Sequence, residues 1–221
     1  MGEAVGSVLA SAVGIAFGPV PLIAVVLVLA TPRGRSNGVA FAAGWTLTLA
    51  ALAAAAVTAA SALGLRGDRG GWVQLAAGLA LLGMGLGRWR NRPRQGHVTR
   101  PPRWLREVDL LTPGRAAALA AAQVVADPKN PVLLAGAAVA VTTTGVGPGA
   151  RAVAVAVLAL TGSLCTLLPL AVRLSGGAAR TATTLGEWKA WTSAHRAAIT
   201  TVVPLVLGAA YAGDALSVLT A

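Results

Sequence analysis

Six long apolar runs, set apart by short polar stretches, give the chain its pattern: Val5–Ala30, Val39–Leu63, Gly71–Gly87, Ala116–Thr142, Ala152–Val172 and Ala197–Gly213. A helix crossing a hydrocarbon core of about 30 Å needs roughly 20 apolar residues, and the six runs reach or approach that length. Ala, Gly, Leu and Val fill them without the period-two alternation of membrane-barrel strands. The pattern predicts an all-α integral membrane protein with six transmembrane helices. No Lys or Arg precedes the first run. It is also longer than the apolar core of a signal peptide, so it reads as a retained span.

Two runs are interrupted near their middle. Span one contains Gly18-Pro19-Val20-Pro21, and span four contains Asp127-Pro128-Lys129-Asn130-Pro131. A proline inside a helix removes a hydrogen bond and crowds the preceding turn. Pro19 with Pro21, and Pro128 with Pro131, therefore predict two helix breaks. Unpaired backbone groups are costly in hydrocarbon, so each break must face protein or a wet cavity. Each break lies in the first helix of a group of three spans, and one long connector separates the groups. Three is odd, so the second group must enter the membrane from the opposite face, as in an inverted-topology repeat. The predicted organisation is a first three-helix repeat over 1–87, a basic cytoplasmic connector over 88–115 and a second three-helix repeat over 116–221. Within the last, segment 175–196 carries Leu185, Trp188, Trp191 and His195 near helical spacing, which predicts a short interfacial helix. Pro169 and Pro204, in spans five and six, have no counterpart in spans two and three. Gly78, Gly83 and Gly87 in span three permit close helix packing.

Charge orients this arrangement. Only 11% of the 221 residues are charged, against about 25% in a soluble domain. Placing the connector in the cytoplasm puts fourteen of the eighteen Lys and Arg on that side. Arg66, Arg69 and Arg151 fall outside, and Lys129 falls within a span. That is the positive-inside pattern of a multi-pass cell-membrane protein with both termini outside. The net charge of +11 then points to anionic lipid headgroups at the cytoplasmic face and not to nucleic acid.

The rise of a helix places Asp127 and Lys129 close to mid-bilayer, where ionisable residues mark function by default. Residues two apart do not face each other on a regular helix. In an opened segment they either pair or line one polar cavity; the plainer alternative is an ion pair that locks the broken helix. Asn130 and Gln123 complete the candidate substrate- or ion-binding set on span four, with Gly18 and Ser11 contributed by span one. Tyr211 and Asp214, near the end of span six, are weaker candidates.

Enzymatic motifs fare badly. Gly34-Arg35-Ser36-Asn37-Gly38 matches a nucleophile elbow, but that turn needs a preceding strand, and helix N-capping by Ser36 or Asn37 suits its place better. The two histidines, His97 and His195, lie in connectors, out of reach of any intramembrane serine. The two lysines precede Asn130 and Ala190, so the phosphate-binding G-K-[ST] sequence is missing. The one cysteine, Cys165, has no disulfide partner and reads as a packing residue. The expectation is a protein that is not an enzyme and uses no metal or cofactor.

The proline-containing first span with its short basic turn, Thr31-Pro32-Arg33-Gly34-Arg35-Ser36-Asn37, and the mid-chain Asp127-Pro128-Lys129-Asn130-Pro131 resemble the LysE superfamily of bacterial exporters. Together with Phe41-Ala42-Ala43-Gly44-Trp45, they look most like its actinobacterial GAP family, the sulfolipid- or glycopeptidolipid-addressing proteins. That resemblance covers nearly the whole chain. It implies export, or help with export, of cell-envelope glycolipids, and the paired broken helices suggest alternating access as the means. Two rival expectations stand beside it: an exporter of small amino-acid-type solutes, and a non-transporting scaffold for a larger lipid exporter. The partners expected are an envelope lipid and either a homodimer mate or larger export machinery. A site open sideways to lipid favours an amphiphile, and a closed aqueous cavity favours a small solute.

Overall fold

The structure, a computed structural model, describes residues 2–91, 111–176 and 178–220. The centre of the connector, with Pro93, His97, Pro101, Pro102 and Trp104, lies outside the described residues. The described residues form helices α1 (Gly2–Ala16), α2 (Pro19–Leu29), α3 (Gly34–Ala62), α4 (Gly67–Arg90), α5 (Pro113–Ala126), α6 (Lys129–Thr143), α7 (Pro148–Gly162), α8 (Leu164–Ser175) and α9 (Ala178–Leu219). Helices α3, α4 and α9 are each long and apolar enough to cross a membrane, and up to six spans result if each bent pair counts as one. The pairs bend by 60° at α1–α2, 70° at α5–α6 and 62° at α7–α8.

Local sequence sets the ends. Pro19, Pro113 and Pro148 open α2, α5 and α7, where a missing N–H costs nothing. Helix α3 ends on Gly64 at φ 60°, with Leu65 N–H donating to the Ala60 carbonyl at 3.0 Å and Gly64 N–H to the Ser61 carbonyl at 3.2 Å. This reciprocal closure needs a left-handed residue, which glycine supplies without strain.

Buried residues recur about every fourth position. Phe41, Trp45, Leu49, Ala53 and Val57 form such a stripe on α3, and Ala116, Ala120 and Val124 form another on α5. These are the inward faces of helices; the opposite faces expose apolar residues such as Leu47 and Trp72, as lipid contact requires. Helix α3 packs on α5, α1 on α7, and α4 along α9. Small residues allow the closest approaches. Gly44 lies against the Ala117 backbone, and Gly78 against Gly208 and Ala212. Of the span-three glycines, Gly78 sits in the seam, whereas Gly83 and Gly87 face open space.

Two departures from the sequence pattern matter. That pattern predicts breaks in spans one and four alone, yet span five also breaks, at Ser163. The Ser163 hydroxyl donates to the Ala159 carbonyl at 2.6 Å, and the Ser163 carbonyl accepts N–H groups from Thr166 and Leu167, each at 2.9 Å. Local bonds replace the ladder, and Gly162 leaves room for Leu49 and Ile15 at the bend. Pro169 instead sits within α8. Second, segment 175–196 is not a separate interfacial helix. Most of it is the first half of α9, 42 residues without a break. Nothing between Arg196 and Ala197 stops the helix, and Pro204 is accommodated inside it. At 1.5 Å per residue α9 is about 63 Å long, twice a hydrocarbon core. Its later half lies along α4, with Gly85 near Leu205 and Gly71 near Leu219. Its earlier half faces α2 across two cavities.

The α4–α9 seam gives a direct test. Gly78→Val meets backbone, while Gly83→Val meets nothing. The first substitution is expected to destabilise the protein by about 1–3 kcal/mol and the second to leave it unchanged, measured as thermal unfolding midpoints in detergent.

Candidate functional site

Every backbone group at the breaks has to be satisfied locally, because hydrocarbon offers no water. At the end of α1, Phe17 N–H donates to the Val13 carbonyl at 3.0 Å and Gly18 N–H to the Ala16 carbonyl at 2.9 Å. The Gly14 and Ile15 carbonyls remain. Lys129 takes both: its ammonium donates to Gly14 at 2.7 Å and Ile15 at 3.2 Å, with the Phe17 carbonyl at 3.5 Å. Lys129 is the first residue of α6 and is buried. A cation from the second half of the chain therefore caps the broken helix of the first, at the negative end of its dipole.

The facing break follows the same logic. Asn130 Nδ2 donates to the Val124 carbonyl of α5 at 2.9 Å. Lys129 N–H donates to Asp127 Oδ1 at 3.2 Å, and Asn130 N–H to the Asp127 carbonyl at 3.0 Å. Pro131 has no N–H to place. At the start of α2, Pro19 and Pro21 likewise delete two of the donors a helix start would expose. The prolines therefore break the helices and also reduce what the breaks leave unpaired.

Two cavities meet at these breaks. The polar one, about 430 Å³, is lined by Phe17, Pro19, Val20 and Pro21 from the first break. Gln123, Ala126, Asp127, Pro128 and Lys129 come from the second, with Arg88 from α4 and Arg196, Ile199, Thr200, Val203 and Pro204 from α9. The apolar one, about 290 Å³, lies between α1, α2, α7, α8 and α9 and includes Gly18, Leu22, Leu168, Trp188 and Trp191. Phe17, Pro19 and Ile199 belong to both. Several walls of the apolar cavity are outer surface: Val13 is 43% exposed, Phe17 55%, Leu168 50% and Trp191 58%. These residues leave it open to the outer surface.

A family model for Sap, the sulfolipid-1-addressing protein, matches residues 8–217. This chain belongs to the Sap family. No curated protein and no solved structure is matched.

In this Sap-family chain the sequence candidates divide into three groups. Asp127, Lys129 and Gln123 line the polar cavity with Pro19, Pro21 and Pro128. Asn130 is buried behind it as a helix cap, and Gly18 faces the apolar cavity. Ser11 sits elsewhere, in a very short hydrogen bond to the Tyr211 hydroxyl, which also reaches the Leu133 carbonyl at 3.4 Å. Asp214 is exposed at the end of α9. Asp127 and Lys129 share one cavity, but the ammonium is directed at the α1 carbonyls and the local bond is made by the Lys129 backbone. Sequence reasoning passed over Arg88 and Arg196 because both were absorbed into the positive-inside count. Their one distinguishing signal is that they flank spans three and six. Trp188 and Trp191, read as interfacial anchors, line the apolar cavity.

Removing the Lys129 ammonium strands two buried carbonyls, each worth about 1–3 kcal/mol. Lys129→Met is expected to lower the thermal unfolding midpoint more than Asp127→Asn, whose carboxylate accepts one amide. Tryptophan-monitored melts of the purified variants check the order.

Proposed function

We propose that this Sap-family chain carries, or helps to carry, an amphiphile such as an envelope lipid across the membrane. The carrying observation is a pair of adjoining cavities that share Phe17, Pro19 and Ile199 in their walls. One carries charged side chains, the other is apolar, and both border the Phe17–Pro19 break. A lipid has the same division into head and chain, and a small zwitterion has no use for the second compartment. The family name, which ties Sap to the addressing of sulfolipid-1, supports the same direction.

The mechanism we infer is movement of two related halves about the broken helices. Helix pairing supports it: exchanging the halves turns the α1–α7 contact into the α5–α3 contact and leaves α4–α9 as its own counterpart. An inverted repeat has this property, as the resemblance to the LysE superfamily implies. In that scheme Lys129 ties the two breaks together and Asp127 presents a carboxylate to the polar cavity. We read the protein as a carrier and not as an enzyme. In this reading the chain crosses six times with both termini on one face, and the positive-inside pattern supports that face as the outside.

Two measurements test this reading. Cells lacking the gene and complemented with Asp127→Asn are expected to export envelope lipid about tenfold less than with wild type, the scale of one lost charge-assisted contact. Normal lipid export by a stably expressed Asp127→Asn protein would contradict a carrier role and fit a scaffold. Loss of amino-acid efflux with intact lipid export would indicate a small-solute exporter. For topology, single cysteines at Ser7 and Ser217 in a Cys165→Ala background are both expected to react with a membrane-impermeant maleimide added outside intact cells. Labelling of only one would overturn the even-span arrangement.

A further inference from the structure

The polar cavity holds four charged side chains, Arg88, Asp127, Lys129 and Arg196. Two of them are committed. The Lys129 ammonium is bonded to the α1 carbonyls, and Asp127 accepts the Lys129 amide at the start of α6. Arg88 and Arg196 have no carboxylate within ion-pair distance among the described residues. Arg88, in the last turn of α4, is half-buried. Arg196 is exposed, and the two guanidinium groups share the lining of a cavity of about 430 Å³ whose one carboxylate among the described residues, Asp127, already accepts the Lys129 amide.

From this we propose that Arg88 and Arg196 form the subsite for one tetrahedral oxyanion, a sulfate or phosphate group, at the head of the carried amphiphile. The proposal rests on the amphiphile reading above and deepens it to a substrate class. A guanidinium presents a planar fork of donors that matches such oxygens two at a time, which an ammonium cannot do. The two forks come from α4 and α9, helices held together through the Gly78–Gly208 seam, so their spacing is set by rigid elements. The chain of the amphiphile continues past Phe17 and Ile199 into the apolar cavity, towards Trp188 and Trp191. Gln123 lines the same cavity, but its amide oxygen and nitrogen are shielded from solvent and are not presented to the head group. Asp127 opposes any second negative charge placed close to it.

The test uses the full chain purified in a neutral maltoside detergent, with tryptophan quenching by brominated sixteen-carbon amphiphiles as the readout. Three probes share one chain and differ in head: sulfate, phosphate and glucoside. The sulfate and phosphate probes are expected to bind at least about tenfold more tightly than the glucoside. Arg88→Gln and Arg196→Gln are each expected to collapse that preference towards one. The residual glucoside binding reports that the variant is folded. Inorganic phosphate is expected to compete only weakly. Equal binding of all three heads by wild type, or a preference unchanged in both variants, would overturn the anionic subsite while leaving the amphiphile reading in place. Quenching by none of the probes would remove the amphiphile reading itself. Competition by inorganic phosphate as strong as that of the amphiphiles would make this a free-anion site and overturn the assignment to a lipid head.

Discussion

A helix that stops inside hydrocarbon leaves carbonyls that no solvent will satisfy, and the arrangement at the centre of this protein answers that constraint. Lys129, the first residue of α6, donates to the Gly14 and Ile15 carbonyls at the end of α1. A lysine at membrane depth is itself expensive, and an open helix end is expensive too. Together they offset each other: the cation meets the negative end of a helix dipole and the carbonyls receive donors. The bond also joins residues far apart in sequence, one from each half of the chain, so the two breaks cannot separate without exposing both partners. The cavities follow from this. The breaks turn α2 away from α1 by 60° and α6 from α5 by 70°, and α4 and α9 line the space between the turned segments.

Much of this was legible in the sequence, for physical reasons. Apolar length identifies membrane helices because the bilayer has a fixed thickness. Paired prolines identify breaks because they remove donors irrespective of tertiary context, and both clusters, at Gly18–Pro21 and Asp127–Pro131, are junctions in the structure. What could not be read was which group each side chain would meet. Asp127 and Lys129 invite pairing by proximity, yet the nearest unsatisfied acceptors for the ammonium are carbonyls more than a hundred residues away. The break at Ser163 was hidden because serine and glycine are common in membrane helices, and only the packing of Ile15 and Leu49 on Gly162 makes the bend favourable. The length of α9 was hidden because a polar segment beside an apolar one looks like two elements when nothing says that the helix continues. Ser11 illustrates the opposite error: it lies close to the first break in sequence, but its helix face turns it to Tyr211.

Charge carried two messages at once, and the global one masked the local one. In the sequence, Arg88 and Arg196 count as two more cations of the expected positive-inside pattern. They also stand on the wall of the polar cavity, where position decides their chemistry. The same holds for Trp188 and Trp191, which suit an interface and also line the apolar compartment. The proposed function rests on those two compartments adjoining at a break whose carbonyls Lys129 caps.

Hydrogen–deuterium exchange across residues 13–22, in lipid nanodiscs, compares wild type with Lys129→Met and tests the cap most directly. If Lys129 holds the end of α1, the amides of Phe17 and Gly18 will exchange faster in the variant by more than any global change in stability explains. Unchanged protection at those two amides would contradict the account.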